Sequence, residues 1–266
     1  MHKAVVSLLL VLVLAGASWA MSPEEVAAAL RSGREVVVGS AFSTDWLANF
    51  ADLGAERVTV LSPGISPDWL ASFVGKGARL RVGADVAPDW VSSFVQKGGE
   101  RITVVAKGFS PDWVSSFVSH GARVRVDSSF SSDWIASYAS AGGERVEIQA
   151  RGISTDWVSE FVDRGAQVYL DSSFPNDWLS SYVSKGGARA HVVAKGISTD
   201  WVMSFAEKGA SLTVDASFST DWVLAYCRKA GARITILTAG FSSDWLNAFA
   251  QAGAHLEFPE GAAPQS

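Results

Sequence analysis

Apolar and polar positions along this chain switch between two periods, one helical and one extended, and the switch recurs every twenty-odd residues. The stretch from Phe109 to Val126 shows one round of it. Trp113, Val114, Phe117 and Val118 fall within an arc of roughly 140° at about 100° per residue, the apolar stripe of an amphipathic helix. Asp112, Ser115 and Ser116 lie outside that arc. Gly121 closes the helix, as Gly33, Gly77, Gly165, Gly209 and Gly253 do in equivalent slots. Arg123-Val124-Arg125-Val126 then alternates polar and apolar, the pattern of a strand with one buried and one wet face. Arg57–Val60, Arg79–Val82, Arg101–Val104, Arg145–Ile148 and Arg233–Ile236 repeat that alternation.

The start of each helix is written at four positions. Ser110 is placed to cap, and Pro111 follows at the first helical position, where its missing N–H costs nothing. Asp112 lies in the first turn, favoured by the positive end of the helix dipole. Phe109 is placed to staple onto Val114, as are Phe42 on Leu47, Ile65 on Leu70, Phe130 on Ile135 and Ile197 on Val202. The two half-units differ in one loop, and the longer version carries a Gly suited to positive φ, as in Val104-Val-Ala-Lys-Gly-Phe109.

Asp-Trp marks the register. It occurs ten times, with its tryptophan at Trp46, Trp69, Trp90, Trp113, Trp134, Trp157, Trp178, Trp201, Trp222 and Trp245. The spacing alternates between 23 and 21 residues, so the full period is 44. A fixed period in this range is the mark of units that bury their apolar faces on one another.

One-sided strands argue for helices on one face of a parallel sheet, because sheets covered on both faces read as continuous apolar runs. Right-handed β-α-β crossovers running one way put all helices on one side. The architecture expected is therefore an α/β right-handed solenoid of about eleven helix–strand units of 21–23 residues, with the sheet concave and the helices outside. Strands about 4.8 Å apart beneath helices about 8–10 Å apart impose a turn of roughly 20–30° per unit. The horseshoe resembles a leucine-rich-repeat protein in geometry alone, since that family's leucine/asparagine consensus is absent. A closed eight-stranded barrel is disfavoured by unit count and by the short unit.

The expected organisation is a leader over 1–20, one domain over 21–260 and a disordered tail over 261–266. Within the domain, 21–38 would be a capping unit and 39–258 five double repeats of 44 residues. Glu25 and Ala29 stand where other units carry Trp and Phe, which suits a cap whose outer side meets water. Pro259 suits the other end. The leader reading rests on the apolar run from Ala4 to Ala17 and the small residues before Met21, with cleavage after Ala20, and implies a secreted or periplasmic protein. No later apolar run approaches the roughly 20 residues of a membrane span.

A formal net charge of −5 argues against a nucleic-acid partner. The single cysteine, Cys227, has no partner for a disulfide and takes a helix slot held elsewhere by Val95, Ala139 and Val183, so it reads as core filler.

Several columns could carry function. The ten tryptophans suit either a sugar-stacking platform or a ladder buried between helices; their place in the apolar arc favours the structural ladder. The aspartates suit helix starts better than a calcium ladder, since neighbouring helices are too far apart to share an ion. Asp127, Asp171 and Asp215, on every second unit, meet the same objection. Arg57, Arg79, Arg101, Arg123, Arg145, Arg189 and Arg233 share a slot at the wet start of the strand, either a solvated row partly paired with Glu56, Glu100 and Glu144 or a site for an acidic partner. Lys107, Arg151 and Lys195 gather on the rim with the helix N-termini, where the aspartates cancel their field.

Catalysis has little support in the sequence. His120, His191 and His255 lie in no metal-ligand spacing, no serine stands out as a nucleophile, and no metal or cofactor is implied. The best clue is where the units disagree. The central wet slot reads Arg125, Glu147, Tyr169 and His191 over four successive strands, and Gln167 and Ser211 interrupt the arginine row beside it. Arg and Tyr suit recognition. The expectation is a monomeric, non-enzymatic scaffold binding a protein or glycan through the concave face, at Arg125, Glu147, Tyr169 and His191 with Arg123, Arg145 and Arg189. A self-assembling envelope protein is the alternative, and a glycan-active enzyme a third.

Overall fold

The computed structural model describes residues 22–257 apart from 32, 34, 238 and 239. The expected leader and the tail lie outside the described residues. Helices alternate with strands throughout. The strands are β1 (Val36–Val38), β2 (Val58–Leu61), β3 (Arg79–Val82), β4 (Ile102–Val105), β5 (Arg123–Val126), β6 (Val146–Gln149), β7 (Gln167–Leu170), β8 (Ala190–Val193), β9 (Ser211–Val214), β10 (Ile234–Leu237) and β11 (His255–Glu257). The helices preceding them are α1 (Pro23–Arg31), α2 (Thr44–Gly54), α3 (Pro67–Gly75), α4 (Pro88–Gly98), α5 (Pro111–Ser119), α6 (Ser132–Gly142), α7 (Thr155–Asp163), α8 (Asn176–Gly186), α9 (Thr199–Glu207), α10 (Thr220–Ala230) and α11 (Ser243–Gln251).

All the strands join one parallel sheet in chain order, each paired with its sequence neighbours; among the described residues no ladder joins β1 to β11. Parallel neighbours need a crossover of a dozen or more residues. Each helix with its two connections supplies one.

The 23/21 alternation has a different seat from the one expected. The loops that follow β2 and β3, residues 62–66 and 83–87, are equally long. The helices differ instead: α2 has 11 residues and α3 has 9, a difference of 2 that equals 23 − 21. The long helices also run into a 3₁₀ turn, such as Gly99–Arg101 after α4 and Gly143–Arg145 after α6. The following strand therefore begins one residue later than the alternation suggested. Arg57, Arg101, Arg145 and Arg233 end these turns instead of opening strands, whereas Arg79 and Arg123 do open theirs.

The core lies between sheet and helices. Phe50, Phe73, Phe94, Phe117, Phe161, Phe205 and Phe249 form a fully buried column, one per helix. Each such side chain contributes on the order of 1.5–3 kcal/mol by leaving water. In α6, α8 and α10 the slot holds tyrosine, whose hydroxyl needs an acceptor once buried. Tyr138 donates to the carbonyl of Pro111 at 3.1 Å, Tyr182 to Val158 at 3.4 Å and Tyr226 to Val202 at 3.1 Å, so each reaches back to the preceding helix. Burial pushes the Tyr138 hydroxyl up to about 12, and pushes those of Tyr182 and Tyr226 higher still. Cys227 is buried in α10, its thiol likewise raised to about 12, as core filler should be.

Helix ends follow the expected scheme with two differences. Ser43, Ser66 and Ser110 hold the extended cap conformation, but only Ser43 among these three closes a side-chain bond, accepting from the Trp46 N–H at 3.4 Å. The aromatic staple reaches farther than one turn: Phe109 meets Phe117 edge-on at 5.4 Å. Gly108 has φ +93, and a Cβ there would lie 2.8 Å from the Ala84 Cβ, so the loop needs glycine for its backbone and for its space.

The tryptophan column is not the buried ladder expected between the helices. None of the ten indoles belongs to the buried core. Trp69, Trp90 and Trp134 are exposed. Trp46, Trp113, Trp157, Trp178, Trp201, Trp222 and Trp245 are only partly covered, packed against the core from outside. The geometry repeats from unit to unit. Trp113 lies on Phe117 at 5.9 Å, Trp157 on Phe161 at 6.1 Å, and Trp201 on Phe205 and Trp245 on Phe249 at 5.9 Å each. Trp134 lies on Tyr138 in the same way, at 6.0 Å. The indole thus rides outside the buried ring one turn on. Its place at the edge of the apolar arc is the reason, because that edge faces outward.

Candidate functional site

The helix-free face of the sheet carries the polar strand positions. β5 alternates intermediate and buried residues, as a one-sided strand should. β6 breaks the rule: Val146, Glu147 and Ile148 are all buried. Glu147 is the one charged residue among the described residues to be buried, at 8% exposure. It directly opposes Arg125 on β5, whose Nε donates to Glu147 Oε2 at 2.6 Å.

The four candidate residues form two facing pairs rather than one straight row. Arg125 opposes Glu147, and Tyr169 opposes His191. Between β6 and β7 the register steps by two, so Glu147 faces Gln167 and lies diagonal to Tyr169. Tyr169 and His191 stack with centroids 4.4 Å apart and planes at 15°. Burial holds the His191 imidazole below its ordinary value, against the opposing pull of the Glu147 carboxylate. The Glu147 carboxylate lies on β6, two strands from His191 on β8, with Tyr169 of β7 between.

The arginine row resolves into two sets. Arg145 donates through Nη1 to the Val118 and Ala122 carbonyls at 3.0 and 3.4 Å, and through Nη2 to Ala141 at 3.5 Å. Arg101 and Arg233 do the same with carbonyls of their own or preceding helices, and Arg189 sits against Gly165 as Arg145 sits against Gly121. The guanidiniums of Arg101, Arg145 and Arg233 tie helix C-termini together, supplying donors for carbonyls the helix leaves open. Arg145 and Arg189 therefore belong to the helix ends and not to the polar face of the sheet. Arg123 does start its strand and faces Glu100 at 3.8 Å, while Arg79 pairs with Glu35 at 2.9 Å. The row's in-strand members are partnered, as a row of like charges requires.

On the rim, Asp127, Asp171 and Asp215 close turns by accepting from the N–H of Ser129, Ser173 and Ser217 at 2.9, 2.9 and 3.0 Å. Burial draws the Asp127 carboxyl upward, but the Ser129 bonds and Lys107 together leave it below the ordinary value. No cluster of His, Cys, Asp or Glu able to hold a metal occurs among the described residues. No helix there is long and apolar enough to cross a membrane.

No family model matches the chain, and no curated protein does. Solved structures similar to it include a chain described as a lyase/mutase of Burkholderia cenocepacia J2315, 14% identical, with 75% of this chain and 82% of that one covered and a TM-score of 0.37. Dihydropteroate synthases from Vibrio fischeri ES114 and Xanthomonas albilineans are each 12% identical. They cover 82% and 70% of this chain and 91% and 88% of their own, with TM-scores of 0.36 and 0.34.

The expectation of a non-enzymatic, protein-binding solenoid scaffold is corrected on this finding. The similar chains are described as enzymes. What stands is an all-parallel α/β sheet with alternating helices. Identities and scores this low assign this chain no activity and no substrate.

Proposed function

We propose that the helix-free face at β5–β8 is an acid–base site for a small polar substrate. The observation that carries this reading is Glu147, buried and bonded to Arg125, on the same face as His191, which stacks on Tyr169 and whose imidazole burial holds below its ordinary value. A perturbed histidine sharing a face with a compensated carboxylate is the arrangement proton transfer needs. In this reading His191 accepts the proton, Glu147 stabilises the imidazolium formed, Arg125 offsets the carboxylate's charge, and Tyr169 fixes the imidazole plane. Arg123 borders the site, and Arg145 and Arg189 secure the helix ends behind it.

The test is a screen of small carbonyl compounds, phosphate esters, carboxylic esters and glycosides, by turnover and by proton exchange in D₂O. The expected activity falls about 10²–10⁴-fold in His191→Gln, the range for loss of a general base. It also falls as pH drops below the ordinary histidine value. Turnover unchanged by His191→Gln, or no turnover anywhere in the screen, refutes the reading. Two expectations accompany it: a single unit over 21–260, checked by limited proteolysis, and export after cleavage at Ala20, checked by N-terminal sequencing of the expressed protein.

A further inference from the structure

A cleft of about 440 Å³ opens between the N-termini of α5 and α6, away from the β5–β8 face. Phe109 and Pro111 line it from one unit, and Phe130 and Trp134 from the next. Lys107 and Ser129 add polar groups at its edge.

The sister units show what such a cleft accommodates. In α8 the ring of Phe174 lies over Trp178 at 5.1 Å and 25°, and Trp178 in turn stacks on Tyr182 at 5.0 Å. In α10, Phe218, Trp222 and Tyr226 form the same three-ring stack, at 5.0 and 5.1 Å. In α6 the residues are of the same kinds but the arrangement differs. Phe130 turns edge-on to Tyr138 at 6.0 Å and 80°, and Trp134 stacks on Tyr138 alone. Trp134 carries no such covering ring and is 39% exposed as a residue, as Trp90 is. The edge-on arrangement also occurs in α2, α5 and α11, where Trp46, Trp113 and Trp245 are partly covered; in α6 it coincides with the cleft and an exposed Trp134.

We propose that this cleft takes a pyranose ring of an oligosaccharide, laid flat on Trp134 with its hydroxyls toward Ser129 and Lys107. A pyranose presents axial C–H groups to the negative face of an indole, on the side of the ring that the stacked Phe174 covers at Trp178. Its edge carries hydroxyls, which need donors and acceptors once out of water, and the cleft has both. The site is separate from the acid–base face and stands or falls independently of it.

Titration calorimetry with cellotriose, chitotriose and maltotriose at millimolar concentration tests it. At least one trisaccharide is expected to bind, with Trp134→Ala weakening it tenfold or more and Trp178→Ala leaving it unchanged, because Trp178 is already covered. Circular dichroism and the melting temperature report whether each variant folds. Trp134→Phe keeps a ring on Tyr138 and shrinks the platform, so it should bind severalfold more weakly than wild type even if the alanine variant is unstable. The proposal is overturned if none of the three sugars binds the wild type, or if folded Trp134 variants bind as tightly as wild type. It is overturned equally if N-acetyl-phenylalaninamide, standing for an aromatic side chain of a protein partner, binds and the sugars do not.

Discussion

Replacing Arg125 by Met should destabilise the protein by about 2 kcal/mol, and adding Glu147→Leu should restore most of that loss. The first figure lies between two limits. An exposed ion pair contributes about 0–1 kcal/mol, whereas removing one partner of a fully buried pair costs about 3–5 kcal/mol because the other charge is stranded. Here the Glu147 side chain is 11% exposed and that of Arg125 is 28%, with Nε and Oε2 at 2.6 Å. Glu147 is thus nearly dry and Arg125 partly wet, which places the pair between the limits. For a chain of this size about 2 kcal/mol lowers Tm by about 4–8 °C. Replacing both partners by apolar residues removes the stranded charge, so the double variant should approach wild type. Urea unfolding of wild type, both single variants and the double variant yields the coupling directly. The same change should raise the pKa of His191, since Glu147 pulls it upward and Arg125 would no longer offset that charge. An Arg125→Met loss under about 0.5 kcal/mol, the range of surface substitutions, would show that Glu147 is solvated in solution and refute the description of the site.

Three other outcomes follow from the same structure. Burial lowers the folded-state value of His191 below its ordinary 6.5, so the unfolded chain binds the proton more readily; stability from this group is complete above pH 6.5 and declines as pH falls through the folded value. Thermal melts between pH 7.5 and 5 should show that decline, and His191→Gln should reduce it. Tyr226→Phe removes the bond to Val202, costing about 1 kcal/mol in urea unfolding; no loss would mean that the hydroxyl does not tie the two helices. The Cys227 thiol, buried and raised to about 12, should stay unlabelled by a disulfide reagent in the native protein and react at the rate of unfolding.

What could be read from the sequence was whatever depends on one unit. Gly121 and Asp112 act locally, and the β5 alternation follows from one-sided burial; helix starts and glycine stops fell where those residues put them, as did the strands that follow the short helices. Contacts between units were harder to read. Arg145 occupies the same sequence slot as Arg123, yet it ends a 3₁₀ turn after an eleven-residue helix and binds carbonyls of α5 and α6, while Arg123 opens a strand. Helix length decides that, and a glycine pair such as Gly142-Gly143 could have signalled the longer helix. The two-residue register step between β6 and β7 has the same origin and splits the polar row into two pairs.

The tryptophans show where periodicity stops being informative. An arc of about 140° has edges, and a residue at an edge is covered or open according to what the adjacent unit places there. Trp134 and Trp178 have the same sequence surroundings, Phe four residues before and Tyr four after, yet only Trp178 is covered by its Phe. The ring that closes one and leaves the other open is set by side-chain rotamer, which no spacing rule encodes. Agreement among the units therefore defines the frame, and function is to be sought at two local departures from it. One is the buried carboxylate of β6; the other is the cleft between α5 and α6 that Trp134 lines.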